Sequence, residues 1–121
     1  EMGFCYAATS LHLDRMSQQD FDEYTQYYHT LDWSHTRAPD ILVYLTVSDE
    51  ELIRRALASK REFETVDPEY FLMMKRVNRA WLAGAEQNSE YNIVSVDTDT
   101  IDFARDEAGK QKLIDIVCTI V

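Results

Sequence analysis

Glycine is scarce in this chain: Gly3, Gly84 and Gly109 are the only three, and they are scattered. A phosphate-cradling loop of the form G-x-x-x-x-G-K-[ST] needs closely spaced glycines followed by lysine, so these residues cannot build one. Cysteine is nearly absent. Cys5 and Cys118 stand at opposite ends with no C-x-x-C, which reads as two free, buried thiols in a reducing compartment rather than a disulfide. Long apolar runs are missing as well. Those present, such as Ile41–Leu45, fall far short of the roughly 20 residues that span a bilayer, so no membrane insertion is expected. Positive charge is also in short supply, with 12 Lys and Arg against 22 Asp and Glu, a net charge of −10. That balance excludes the broad basic surface that DNA or RNA requires, although a nucleotide site needs only a few local arginines. The three histidines, His12, His29 and His35, have no i,i+4 partner or acid set of metal-ligand type, and no metal site is expected from them. No signal peptide opens the chain. It starts at Glu1 in what already reads as helix, so an upstream segment, with any targeting signal in it, is expected.

What is present is enough for a packed core: 45% hydrophobic residues, 12% aromatic. A helical hairpin is expected over 1–34. Its first helix carries Phe4, Ala7, Ala8, Leu11 and Met16 on one face. Its second opens at a Ser17/Asp20 capping box, spaces Phe21, Tyr24, Tyr28 and Leu31 helically, and ends near Trp33. Pro39 marks a turn. The run Ile41–Ser48 is apolar on both faces, as a central strand of a parallel sheet must be. Ser48 and Glu51 form a second capping box, opening a region, 49–66, whose helix buries Leu52, Ile53, Ala56 and Leu57. Asp67-Pro68 opens a long helix over 68–87 with the stripe Phe71, Met74, Val77, Trp81 and Ala85. A last strand, 91–96, runs into Asp97-Thr98-Asp99, whose two carboxylates read as loop caps. A helix over 106–119 then buries Leu113, Ile114, Val117 and Cys118. The class is α/β, a parallel sheet flanked by about five helices with two strands from this chain. Two strands do not make a stable sheet of that kind, so further strands are expected from outside this segment.

Four stretches, in this order, resemble the deoxynucleoside kinase family. MSQQDFDEYTQYYHTL (16–31) is similar to its "M-S-x-x-D/E-[FY]-x-x-Y-x-x-[FY]" hairpin. APDILVYLTVSDEELIRRALASKREFE (38–64) is similar to the "PD-x-[IL]-[IV]-YL-x-[VA]-S" strand and the helix after it, the lid, which reads R-I-x-x-R-G-R-x-x-E. DPEYFLMMKRVNRAWL (67–82) resembles the helix after the lid, and YNIVSVDTDTIDF (91–103) the closing "hydrophobic strand, then D-x-x-x-D-F" segment. The resemblance covers nearly the whole chain and implies the C-terminal part of a P-loop kinase-like fold. It further implies ATP- and Mg²⁺-dependent phosphorylation of a deoxyribonucleoside 5′-hydroxyl, in the cytoplasm or the mitochondrial matrix. In the family the phosphate loop, the general-base carboxylate and most of the [DE]-R-S region lie upstream. An N-terminal half would therefore be required, and this chain by itself is not expected to be a kinase.

The resemblance carries over residue by residue. Arg55 stands at the first lid arginine, which reaches the ATP phosphates, and Arg61 at the last. Ser59 stands where the family has another arginine and Lys60 where it has glycine. Lys60 can act as a point charge but not as a bidentate fork. A solvated helix face accounts for Arg54, Arg55 and Lys60 equally well. Glu64 matches the glutamate that binds the sugar 3′-hydroxyl, against the plain reading of a solvated carboxylate. Tyr6 falls where an aromatic stacks on the nucleobase, against that of a core aromatic. The acidic base-reading residue nearby is Met2 here, with Glu1 one step away. No catalytic residue or metal ligand is assigned.

Two functions are compatible with these residues. One is a deoxynucleoside kinase seen as its C-terminal portion, with ATP and a deoxynucleoside as partners and a homodimer formed through the aromatic first hairpin. The other is a catalytically inactive relative, a structural subunit of a larger assembly, as in the kinase-like subunit of mitochondrial NADH dehydrogenase (complex I). Ser59 and Lys60 favour the second, Arg61 and Glu64 the first.

Overall fold

The structure, a computed structural model, describes residues 2–37, 39–87 and 92–120, and of Met2 the backbone alone. Glu1 and Tyr91, the expected start of the last strand, lie outside the described residues. The chain divides into two compact units, one of residues 1–38 and 65–88 and the other of 39–64 and 89–121.

The first unit is helical: α1 (Met2–His12), α2 (Gln18–Thr30) and α4 (Pro68–Gln87), with α1 packed against the other two. Cys5, Ala7, Ala8, Leu82 and Ala85 form its buried apolar centre. Thr9, wholly buried among them, donates its hydroxyl to the Cys5 carbonyl at 2.7 Å and approaches the Met74 sulfur at 3.5 Å. Met16 is not on the face of α1, because the helix stops first. Asp14 adopts φ 54°, and the Arg15 and Asp14 amides turn back to the Ser10 and Leu11 carbonyls. That pairing is a Schellman end with aspartate at the left-handed position usually held by glycine. α2 starts where the capping box places it, the Ser17 hydroxyl accepting from the Asp20 amide at 3.1 Å. It ends at Thr30, short of Trp33, because Leu31 is extended. Phe21 meets Phe4 of α1 with ring centroids 5.7 Å apart, and Trp33 folds back over Tyr28 at 5.4 Å. α4 opens on Asp67, whose Oδ1 accepts from the Glu69 and Tyr70 amides at 3.0 and 3.4 Å. The Arg15 guanidinium binds the other Asp67 oxygen and lies 5.5 Å from the Tyr70 ring centroid.

The second unit contains β1 (Leu42–Thr46), α3 (Asp49–Ser59), β2 (Ile93–Asp97) and α5 (Glu107–Ile120). The strands are parallel, in register from Leu42↔Ile93 to Thr46↔Asp97. Among the described residues, five helices and two parallel strands make the chain α/β, as its alternation of strands and helical crossovers requires. The ladder runs one step past β2, where the Thr98 amide donates to the Thr46 carbonyl at 2.9 Å. β1 has no fully buried residue and Leu45 is exposed, so a strand apolar on both faces is only partly covered within this unit.

α5 differs from the expected face. Leu113, Ile116 and Val117 are half-buried, whereas Ile114 and Cys118 are exposed. Positions 113, 116 and 117 share a face by i,i+3 and i,i+4 spacing, and 114 and 118 form the neighbouring row. Cys118 thus lies at the surface and Cys5 alone is buried, neither of them in a disulfide. The start of α5 is fixed by Asp106, whose two carboxylate oxygens accept from the Ala108 and Gly109 amides. Gly109 is buried, and a Cβ there would stand 2.8 Å from the Asp102 carbonyl oxygen. Only glycine lets the backbone come so close.

Candidate functional site

The candidate phosphate-side residues sit on and just after α3, and local hydrogen bonding decides which way each points. Ser48 caps the helix through its hydroxyl, which accepts from the Glu51 amide at 3.3 Å. The reciprocal half of the box is not formed. Asp99 takes the Ser48 amide instead, at 2.6 Å, and Glu51 is left to the arginines one turn on. Arg54 grips Glu51 with two nitrogens, each at 2.6 Å, and Arg55 Nε joins at 2.7 Å. These bonds, with Arg54 first and Arg55 second, bring the Glu51 carboxyl down to about 2.

Arg55 does not face open solvent. Its side chain is 24% exposed, and its remaining nitrogens reach the loop after β2. One donates to the Thr98 carbonyl at 2.5 Å and lies 3.3 Å from that of Ile101, while the other meets the Thr98 hydroxyl at 3.4 Å. Thr98 is itself buried, its hydroxyl donating to the Thr46 carbonyl at 2.8 Å. The loop is braced from within, since Asp97 Oδ1 accepts from the Asp99 amide at 3.0 Å. Asp97 and Asp99 thus act as loop caps, each accepting a backbone N–H.

The far end of α3 is closed differently. Ser59 turns its hydroxyl back to the Arg55 carbonyl at 2.8 Å and lies 3.3 Å from that of Ala56. Arg105, from the segment before α5, donates to the Ala58 carbonyl. A cavity of about 100 Å³ lies here, lined by Arg54, Arg55, Ser59, Asp102, Ala104 and Arg105. Lys60 then leaves the helix in an extended conformation, φ −61°, ψ 142°. Arg61 and Glu64 close a tight turn: the Glu64 carboxylate accepts from the Arg61 amide at 3.1 Å, and the Glu64 amide donates to the Arg61 carbonyl at 3.0 Å. Lys60, Arg61 and Glu64 are all exposed, and Phe63 at the tip of the turn is 96% exposed. Tyr6 lies on the outer side of α1, half exposed, in the helical unit. Its ring is not buried by the described residues.

The structure thus brings Arg61 and Glu64 together, sets Lys60 beside them, and ties Arg55 to the β2–α5 loop. Among the described residues no three His, Cys, Asp or Glu side chains gather as a metal ion would need. The residues described here do not fit a Mg²⁺ site. No described helix is long and apolar enough to cross a membrane.

A sequence profile of deoxynucleoside kinases matches residues 4–121. The chain belongs to the deoxynucleoside kinase family. Solved structures of deoxyadenosine kinase from M. mycoides share the fold. The form with bound dCTP aligns at a TM-score of 0.77 and 17% identity over 98% of this chain. The form with bound dATP aligns at 0.73 and 20% over 97%. The chain spans 60% and 56% of the length of the chains in those two structures, so it corresponds to a part of the kinase fold, the C-terminal one. No curated protein matches it in sequence.

Within the family, three residues of the α3 network carry no lid signature. Glu51 was visible only as a cap, although its i+3 and i+4 arginines mark it equally as an ion-pair anchor. Thr98 has a faint signal, a hydroxyl directly after an apolar strand. Arg105 has none, because its partner is a backbone carbonyl 47 positions away.

Proposed function

We propose that this chain is the lid-bearing portion of an enzyme that phosphorylates deoxyribonucleosides at the 5′-hydroxyl with ATP. The observation that carries the reading is the exposed turn after α3, where Lys60, Arg61 and Glu64 are presented within five residues of one another in a chain of this family. In the reaction the 5′-oxygen bonds to the γ-phosphorus, the bond to the bridging oxygen breaks, and ADP leaves. The hydroxyl proton passes to a carboxylate that the resemblance places upstream. Little covalent work falls to the lid, which acts by position and charge. Lys60 and Arg61 would offset the charge spread over the phosphoryl oxygens. The Glu64 carboxylate would accept a hydrogen bond from the sugar 3′-hydroxyl.

The test is direct. The intact protein, including the segment upstream of Glu1, is incubated with ATP, Mg²⁺ and each of the four deoxynucleosides, and monophosphate formation is followed. Product from at least one supports the proposal; none from any of them ends it.

One observation favours a second reading, a non-catalytic subunit of a larger assembly. Ser59 replaces a lid arginine, and its hydroxyl is committed to its own helix, while Arg55 is committed to Glu51 and the loop. Purification from the native source separates the two. A free homodimer of enzyme size counts against the subunit, and stable residence in a large complex without kinase activity counts for it.

A further inference from the structure

We propose that Arg105, which no lid motif contains, is a positioning residue of the lid. It fixes the end of α3 and so sets the direction in which Lys60 and Arg61 leave the helix.

The case starts from what α3 lacks. A helix leaves its last four carbonyls without intrahelical partners, and a left-handed glycine commonly supplies the closing bonds. Here the position after Ser59 is Lys60, extended rather than left-handed, so that closure cannot form. The last turn has no basic residue of its own either. Two side chains meet part of the deficit. Ser59 returns its hydroxyl to the Arg55 and Ala56 carbonyls, and Arg105 donates to the Ala58 carbonyl from outside the helix. Arg105 thus brings a full positive charge to the negative end of the α3 dipole, where a cation stabilises most.

Arg105 is well placed to hold something still. Its own amide donates to Asp102 Oδ1 at 3.2 Å, and the Asp106 amide donates to the Asp102 carbonyl at 2.9 Å. The next residues are fixed by the Asp106 cap and by the close approach of Gly109 to Asp102. Arg55 runs the other way, from α3 to the Thr98 and Ile101 carbonyls of the same loop. Two arginines reaching in opposite directions therefore join α3 and the β2–α5 loop into one body. The residues after Ser59 lie beyond this joint, and Arg105 marks its boundary.

What Lys60 and Arg61 are positioned to bind rests on the kinase reading above; the clamp itself does not. Both are tested on the intact protein with Arg105→Ala and Arg105→Lys. In hydrogen exchange, Arg105→Ala is expected to raise the rates of the Leu57–Ser59 amides about tenfold and leave those of α1 and α4 unchanged. In steady-state kinetics it is expected to raise the KM for ATP about fivefold, with kcat and the deoxynucleoside KM within about twofold. Arg105→Lys, which keeps a cationic donor, should recover most of both effects. Unchanged exchange at the end of α3 overturns the proposal. So does faster exchange throughout the chain with both KM values rising together, the mark of general destabilisation. If the alanine variant does not fold, Arg105→Gln, with a neutral donor of similar length, carries the same comparison against Arg105→Lys. A wild type that transfers no phosphate refutes the kinase reading, and the exchange arm still decides whether Arg105 holds α3.

Discussion

The Arg55 guanidinium donates to the Thr98 carbonyl at 2.5 Å while its Nε is held by the Glu51 carboxylate at 2.7 Å. One side chain therefore ties the start of α3 to the loop that follows β2. Replacing Arg55 with alanine removes charge-assisted bonds at both ends. The Thr98 carbonyl still receives the Ile101 amide at 3.0 Å, so it is not left bare. The expected loss is about 2 kcal/mol in urea unfolding of the intact protein, in the usual range for hydrogen bonds to a charged group. Arg55→Lys should recover little of it, because an ammonium cannot span both partners with a planar fork. A loss indistinguishable from zero would mean that the loop holds its shape without Arg55.

Glu51 supplies a pH dependence with a definite sign. Its carboxyl titrates at about 2 in the folded chain, drawn down by Arg54 first and Arg55 second. A carboxyl whose folded value lies below its unfolded one binds fewer protons when folded, so its stabilisation is complete above the unfolded value, near 4.3. It is lost as pH falls from there through about 2. Carboxyl chemical shifts followed by NMR should place the Glu51 midpoint at the bottom of the acid range. Arg54→Ala should move it up further than Arg55→Ala does. The Asp67 carboxyl, lowered chiefly by the Arg15 guanidinium, should rise in the same way in Arg15→Ala.

Two glycines give a prediction of opposite signs for the same substitution. A Cβ at Gly109 would meet the Asp102 carbonyl oxygen at 2.8 Å and the Asp102 carbonyl carbon at 3.0 Å, backbone that the Asp106 amide holds in place. Gly109→Ala should cost about 1–3 kcal/mol, as overpacking does. At Gly84, inside α4, nothing lies within 4 Å of an added Cβ. Gly84→Ala should therefore stabilise by about 0.5–1 kcal/mol, through helix propensity and a less flexible unfolded chain. Thermal melts of the two variants beside the wild type decide the matter, and equal shifts would refute it.

These cases show what was legible in the residues themselves. Caps and periodicity were: Ser17, Ser48 and Asp67 start helices where short-range patterns place them, and the β-branched run at 42–46 forms a strand. Those signals act over a few residues and need no partner. Burial was less legible, as Ile114 and Cys118 show, because the face a helix buries depends on what covers it. The same limit holds at the end of α3. Ser59 and Lys60 could be read as departures, but not that Arg105 would close the helix they alter. A guanidinium binding a backbone carbonyl across 47 positions leaves no pattern in the chain. The second arm of the Ser48 box went unfilled for a related reason. Asp99, distant in sequence, reached the Ser48 amide, and Glu51 had two arginines within one turn.

Glu64 offers the sharpest test of the nucleoside side. Its carboxylate already accepts the Arg61 amide at 3.1 Å, so a purely local role is available: stabilising the turn. A substrate role makes a different demand, that Glu64 distinguish a sugar with a 3′-hydroxyl from one without. On the proposed kinase reading, the intact protein should prefer a deoxynucleoside over its 2′,3′-dideoxy analogue in kcat/KM. In Glu64→Ala that preference should collapse by about tenfold or more, the size expected when a hydrogen bond to a charged group is lost. The collapse should come from the deoxynucleoside, with the analogue changing little. Glu64→Asp, which keeps the charge but shortens the reach, should fall between the two. If Glu64→Ala slows both substrates equally, the carboxylate serves the turn alone, and the 3′-hydroxyl must be read by another residue.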